Sequence, residues 1–281
     1  MAHRIKTDQS MTEGPIFGKM MRFTFPIFLQ ETLNRLVEDL NIKVFCNQKY
    51  GVNIEISDLV LEYDAILLGI GANKSKMLGI SGEELKGVYG GNELLEYDSH
   101  PDYSNKNVFV SGGGNVAIDT ARVIKRKGAK EVTIVYRRSE QEMPADIKEI
   151  EEAKKDGVKF IFNTNVIKII GTEKVENLEC VKTEYNDENK LVNVDESNFM
   201  LEADFFIMSI GSIVDNSSFA NSEVEVNKWG KVFVDENMKT NVDKIFAAGN
   251  LMSDNSSAAM AARSGRDAAE KIKEYLIERS I

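Results

Sequence analysis

Three consecutive glycines, Gly112-Gly113-Gly114, join a short apolar run to a segment with helical periodicity, and no other feature restricts the fold as much. The run from Lys106 to Ser111 is rich in β-branched and aromatic residues and reads as a buried strand. After the glycines, Val116, Ala117, Ala121, Val123 and Ile124 recur at helical spacing, and Glu131–Tyr136 follows Gly128 as a second strand. The result is a β-α-β unit whose glycine turn lies where the first strand meets the helix. Gly112 permits a tight turn, Gly114 lets backbone approach a bound group without a Cβ in the way, and Ala117 keeps helix close to strand. Unpaired N–H groups and the positive dipole end of the helix then face whatever sits in the turn, which favours an anion.

Gly112-x-Gly114-x-x-Ala117 fits the G-x-G-x-x-G/A fingerprint in the strand–turn–helix context that gives it meaning, so the anion is read as a dinucleotide diphosphate. An acidic residue after the second strand would bind the ribose hydroxyls of NAD. Here Tyr136 is followed by Arg137 and Arg138. Guanidinium groups suit a 2′-phosphate through charge-assisted, often bidentate bonds, which points to NADP(H). The plainer reading is a glycine turn beside a solvated basic pair; strand, helix, second strand and arginines together favour the nucleotide.

The rest of the composition narrows the class. With 281 residues, one large or two medium α/β domains can each hold a core. A balance of 35 basic against 45 acidic residues, net −10, argues against general nucleic-acid binding. Cys46 and Cys180 are far apart and form no C-x-x-C, so neither a dithiol motif nor an iron–sulfur cluster arises from them; both are expected in the core. No apolar run reaches membrane-spanning length, and a soluble protein of the reducing cytoplasm is expected. No metal-ligand set and no catalytic residue stands out: His3 and His100 read as surface residues, and none of the eight tyrosines begins a Tyr-x-x-x-Lys pair, which weakens a dehydrogenase acting directly on its substrate.

In chain order, Pro26 opens an amphipathic helix running to Leu40, residues 42–46 read as a strand, and residues 64–70 as a fully buried one ending at Gly71. Residues 73–91 read as a glycine-rich loop and the stretch around Pro101 as a linker. A helix is expected over 145–155 and a strand over 159–162. A meander over 166–170, 175–185 and 190–194 follows, turning at Asn186–Asn189. Residues 203–210 read as a buried strand ending at Gly211, with further strands at 232–234 and 245–248. Gly249-Asn250 leads into a helix over about 256–279. Its small residues Ala258, Ala259, Ala261 and Ala262 would allow close packing.

Several segments, in order, resemble one family: the pyridine-nucleotide:flavin oxidoreductases typified by the NADPH-dependent glutamate synthase small (β) subunit. They are YDAILLGIGANKSKMLGISGEELKGVYGGNELL from Tyr63, GGGNVAIDTAR from Gly112, EVTIVYRRSEQEMPA from Glu131, ADFFIMSIGS from Ala203 and IFAAGNLMSDNSSAAMAARSGRDAAEKI from Ile245. The resemblance implies an α/β protein with two dinucleotide-binding, Rossmann-like domains, an NADP domain inserted in an FAD-type domain. On that plan residues 1–103 and 204–281 form the FAD-type domain and residues 104–203 the NADP domain. NADPH would give a hydride to the flavin, and electrons would pass on to another redox centre. The implied nucleotide residues are Gly112, Gly113, Gly114, Asn115, Val116, Ala117, Asp119, Arg137 and Arg138. Gly211, Gly249, Asn250, Ser257 and Ala258 are implied as further cofactor-binding residues, Gly249-Asn250 at the position that meets the flavin ribityl chain.

Two departures from the family pattern qualify the flavin half. Its usual first strand–GxGxxG–helix unit, which cradles the flavin diphosphate, is not in the sequence, and Asn250 stands where the family usually has an acid that bonds the ribityl chain. The cysteine-rich N-terminal domain of the family is not in the sequence either. The resemblance therefore implies an incomplete site that holds FAD weakly, and a redox partner subunit or a chain that completes the flavin domain. The alternative expectation is a non-catalytic NADP(H)-binding remnant or subunit.

Overall fold

The computed structural model describes residues 39–40, 42–49, 51–97, 99–219, 222–252 and 258–279. The chain forms two compact units, 1–49 and 50–281. The first contributes few described residues. Most of the helix expected over 26–40 lies outside them. Residues 42–46 form no strand: Ile42, Val44 and Phe45 are exposed, and the chain there makes no ladder. Cys46 is exposed as well, against the expectation of a core residue, while Cys180 is fully buried.

In the second unit the elements are α1 (Ile56–Glu62), β1 (Ile66–Leu68), β2 (Lys74–Ser75), β3 (Val88–Gly90), α2 (Gly91–Tyr97), β4 (Asn107–Ser111) and α3 (Asn115–Arg126). After them come β5 (Glu131–Val135), α4 (Ile147–Lys155), β6 (Lys159–Ile161), β7 (Thr164–Ile170), β8 (Asn177–Tyr185) and β9 (Leu191–Asn193). The chain ends with β10 (Phe199–Glu202), β11 (Phe205–Met208), β12 (Ser212–Ile213), β13 (Ile245–Ala247) and α5 (Ala258–Arg279).

The central layer is a five-stranded sheet of order β3-β11-β4-β5-β6, with every pair parallel. Alternation along β4 sends Val108 and Val110 toward Ile118, Ala121 and Ile124 of α3 and Ile150 and Ala153 of α4 in one core. The opposite face, with Phe109, Val135, Phe206 and Met208, joins Val166, Ile169, Leu178 and Cys180 in a second core. That face is covered by the antiparallel sheet of β7, β8 and β10, with β9 paired to β8. A parallel sheet covered on both sides explains why its strands read as continuous apolar runs. Two of its strands, β3 and β11, come from outside residues 104–203.

Local signals set the boundaries. α3 carries Lys125 and Arg126 in its last turn, where cations complement the dipole, and Gly128 at φ +96° turns the chain away. The side chain of Asp146 caps α4 by accepting from the Lys148 N–H at 2.8 Å. The expected turn at Asn186–Asn189 forms, with Asn186 Oδ1 accepting from the Glu188 and Lys190 N–H groups at 3.1 and 2.8 Å.

Arg122 ties α3 to α4. Only 13% of its side chain is exposed, and it meets Glu149 at 2.7 Å, Glu152 at 2.9 Å and Asp156 at 2.7 Å. Removing the cation leaves three carboxylates crowded together, so Arg122→Ala is expected to lower stability by about 2–3 kcal/mol, the partial exposure reducing the figure for a fully buried network. Urea unfolding of wild type and variant at neutral pH measures this; a change under about 0.5 kcal/mol would mean that the network is inert.

A third core gathers Ile56, Leu68, Val214, Phe219, Val232, Ile245, Ala247 and Leu251 around the parallel pair β1–β13. The strand expected over 64–70 shrinks to Ile66–Leu68 and is not fully buried: Leu67 is 40% exposed, and Gly69 and Gly71 end the ladder at once. Residues 232–234 supply only one isolated bridge, Val226 to Val232. The expected loop 73–91 contains β2 and β3 and the first residue of α2, because β11 and β12 bring partners that are distant in sequence. The stretch near Pro101 is packed rather than loose: Tyr103 is 1% exposed, with its ring edge on Phe205 and its hydroxyl 3.1 Å from His100 Nδ1. Of the alanines at the start of α5, Ala259 and Ala262 are exposed; Ala261 approaches Gly249. No helix among the described residues is long and apolar enough to cross a membrane, and none of their His, Cys, Asp or Glu side chains cluster as a metal site.

Candidate functional site

The three glycines between β4 and α3 are set by different neighbours. Gly112, at φ +145°, donates to Val135 O at 3.2 Å, and a Cβ there would lie 2.2 Å from Ser209 O. A Cβ on Gly113 would fall 2.4 Å from the ring of Tyr136, whose hydroxyl donates to Glu142 O at 2.9 Å. Gly114 caps α3 with an ordinary φ of −91°, and a Cβ on it would meet no protein atom within 4 Å. It faces open space instead. Its carbonyl accepts from the Ala117 and Ile118 N–H groups at 3.0 and 3.2 Å, while the amides of Gly114, Asn115 and Val116 have no hydrogen-bond partner among the described residues. These are the orphan donors of a helix start.

They open on a cleft of about 630 Å³. Gly112 to Val116, Tyr136, Arg137 and Arg138 line it, together with Lys76, Asn92 and Ser209 to Gly211. The Arg137 side chain is exposed. Arg138 is half-buried, and its Nε is shielded from solvent with no hydrogen-bond partner. Its loop is pinned by backbone: Asn163 N–H donates to Arg138 O at 3.1 Å, and Thr183 Oγ1 donates to Arg137 O at 2.7 Å. A guanidinium that makes no ion pair with a described residue and unsatisfied backbone amides line one cleft, which suits an anion carrying phosphate groups.

The other residues named from the sequence divide between the cleft and its surroundings. Ala117 is fully buried behind the turn. Asp119 does not line the cleft; its carboxyl is pushed up by burial and by Glu149, against the pull of Arg122 and Arg126 on the α4 side of the helix. The Asn115 side chain accepts from the Asp146 N–H at 3.0 Å and so joins the turn to the start of α4. Gly211, at φ +129°, lines the cleft.

Gly249 and Asn250 stand at the carboxyl end of β13, outside that cleft. Gly249, at φ +73°, donates to Ser264 Oγ at 2.9 Å, and Lys231 Nζ donates to Asn250 O at 2.7 Å. Asn250 Oδ1 is buried with no partner. Ser257 lies outside the described residues, as does the side chain of Ala258, the first residue of α5.

A family model described as pyridine nucleotide-disulphide oxidoreductase matches residues 30–265. The chain belongs to this family. Among curated relatives, the NADP(+)-dependent formate dehydrogenase subunit beta of Moorella thermoacetica is 32% identical over 85% of the chain and 36% of its own length. The glutamate synthase [NADPH] small chain of Escherichia coli is 30% identical over 93% of the chain and 62% of its own length. The chain thus spans between about a third and two thirds of these relatives. Solved structures share the fold. Mycobacterium tuberculosis FprA in complex with NADPH aligns at TM-score 0.73 and 18% identity, over 90% of the chain and 72% of that protein. Thioredoxin reductase of T. acidophilum aligns at 0.57 and 24%, over 76% and 66%.

Within the family frame, the cysteines offer no dithiol. Cys180 sits in the closed core between sheets, where burial pushes its thiol up to about 12. Sequence reading missed Lys76, Asn92, Thr164, Asn165, Ser209 and Ile210 as cleft residues. Ser209 and Ile210 could have been found: they follow a buried parallel strand, and ligands of such sheets gather at the carboxyl ends. Lys76 and Asn92 carried no such signal, because the β2–β12 ladder that places them joins residues far apart in sequence.

Proposed function

We propose that the chain is the nucleotide-handling part of a flavin oxidoreductase, binding NADP(H) at the Gly112–Val116 turn and passing a hydride to FAD. One observation carries the reading: the unbonded amides at the start of α3 and the side chain of Arg138, which makes no ion pair with a described residue, line the same cleft. The turn amides would hold the diphosphate, with room over Gly114, and Arg137 and Arg138 would hold the 2′-phosphate. The NADP domain is residues 104–203, extended by β3 and β11, which complete its sheet. At the far end of β13, the buried, unpartnered Asn250 Oδ1 fits a flavin hydroxyl that needs an acceptor, and Lys231 and Ser264 hold the Gly249-Asn250 turn in place. The flavin, when bound, supplies the ring that accepts the hydride. This chain's own residues bind and orient; none needs to exchange a proton.

The relatives named as a small chain or as subunit beta support a redox partner subunit; we infer a reducing cytoplasm as its compartment. Calorimetric titration of the purified chain with NADPH and NADH tests the reading. NADPH is expected to bind at least about tenfold tighter, or about 1.4 kcal/mol. Equal affinity for the two, or no binding of either, would end the NADP(H) assignment. NADPH binding without transfer of electrons to a flavin or dye would favour the non-catalytic subunit.

A further inference from the structure

Arg138 has a carboxylate for a neighbour and yet does not pair with it. The acid is Glu142, four residues past Arg138 and close enough to feel its charge, and both of its oxygens are already engaged. Oε2 accepts from the Ser139 N–H at 3.0 Å and from Ser139 Oγ at 2.6 Å, closing a capping box. Oε1 accepts from the hydroxyl of Tyr185 at the end of β8. Among the described residues Glu142 makes no ion pair with Arg138 within 4 Å, and Arg138 Nε has no partner at all.

The same strand braces the loop twice. Thr183 and Tyr185 lie two residues apart on β8 and therefore point to one face, and Thr183 Oγ1 donates to Arg137 O at 2.7 Å. Asn163 N–H holds Arg138 O, and Thr183 N–H in turn donates to Asn163 O at 2.9 Å. The arginine loop is thus fixed by a sheet that belongs to neither the glycine turn nor its helix. The carboxyl of Glu142 is held down to about 2 by the Ser139 hydroxyl, then by the Tyr185 hydroxyl and the Ser139 N–H. It stays ionised at any pH where a nucleotide would bind, a permanent negative charge beside the phosphate site.

We propose that Tyr185 is a specificity-determining residue for the ribose 2′-phosphate, acting by holding the Glu142 carboxylate away from the Arg138 guanidinium. Without the hydroxyl, Oε1 loses its fixed donor, and the carboxylate can turn to Arg138 and compete with the phosphate for it. Tyr185 acts through other groups and touches no nucleotide, so it is a positioning residue. This rests on the NADP(H) reading above.

The test is calorimetric titration of the full chain with NADPH and with NADH, for wild type, Tyr185→Phe, Glu142→Gln and the double variant. In Tyr185→Phe the preference for NADPH is expected to fall by roughly tenfold, the scale of one hydrogen bond to a charged group, while NADH affinity stays within about twofold and reports an intact turn. The double variant is expected to restore the preference, since an amide can still accept from Ser139 but brings no charge. Glu142→Gln alone is expected to keep or raise it. A Tyr185→Phe protein with undiminished preference overturns the proposal. So does a double variant that stays as poor as the single one, or a Glu142→Gln protein that binds NADPH more weakly. A wild type that binds NADPH and NADH equally is a different failure: it removes the NADP(H) reading itself.

Discussion

Replacing Arg137 and Arg138 together with alanine is expected to weaken NADPH binding by roughly 2–4 kcal/mol, with NADH affinity almost unchanged. A hydrogen bond to a charged group is worth about 1.5–3 kcal/mol, and the exposure of Arg137 keeps the pair below the sum of two such bonds. The effect should be confined to the 2′-phosphate because the amides proposed to hold the diphosphate belong to the backbone of another element. The free protein should keep its melting temperature. Neither guanidinium forms an ion pair with a described residue, and the hydrogen bonds that hold this loop to Asn163 and Thr183 run through its backbone carbonyls. Titration of the variant with both nucleotides, alongside a thermal melt, separates the cases. Equal losses for NADPH and NADH would make the pair structural, and a large fall in melting temperature would show that the loop depends on the side chains.

What was legible in the sequence follows the range of the forces involved. The β-α-β unit at residues 106–138 could be read because its signals are local: β-branched residues in β4, a glycine turn, helical periodicity in α3, a second strand after Gly128. The hairpin at Asn186–Asn189 was legible for the same reason. The short strands β2 and β3 were not. β3 earns its place only through pairing with β11, more than a hundred residues later, and nothing in Val88–Gly90 announces that partner. The reverse error occurred at residues 42–46 and 232–234, where apolar, β-branched composition suggested strands that find at most one bridging partner among the described residues. Composition measures fitness for a pleated surface, not the presence of one.

The site divides along the same line. The turn amides, Arg137 and Arg138 belong to one continuous stretch, and they line one cleft. Glu142 and Tyr185 belong to the same cluster, but the contact between them spans the interval from the arginine loop to the end of β8, and only the antiparallel layer brings them together. Asp119 shows the opposite limit. Its place in a motif suggested the cleft, yet one turn into α3 the side chain points toward Glu149 and α4. Helical phase decided its position.

Gly112 and Gly114 differ by two positions and should fail in opposite ways. Gly112→Ala puts a Cβ 2.2 Å from the backbone oxygen of Ser209, at a φ of +145° that an L-residue rarely adopts. Ser209 cannot yield easily, since its N–H is bound to Ser111 O at 2.8 Å and it continues the buried strand β11. Overpacking and backbone strain each cost about 1–3 kcal/mol, so a loss of roughly 3–5 kcal/mol is expected, enough to threaten folding of the parallel sheet. Gly114→Ala meets no protein atom at an ordinary φ and should unfold within about 0.5 kcal/mol of wild type. Its methyl group enters the space in front of the free amides, so NADPH and NADH should both weaken by tenfold or more, without the selectivity seen for the arginines. Urea unfolding and titration of the two variants side by side decide the matter. A stable Gly112→Ala protein would mean that β4 and β11 are not held as tightly as their ladder implies. Full nucleotide affinity in Gly114→Ala would move the diphosphate away from the start of α3.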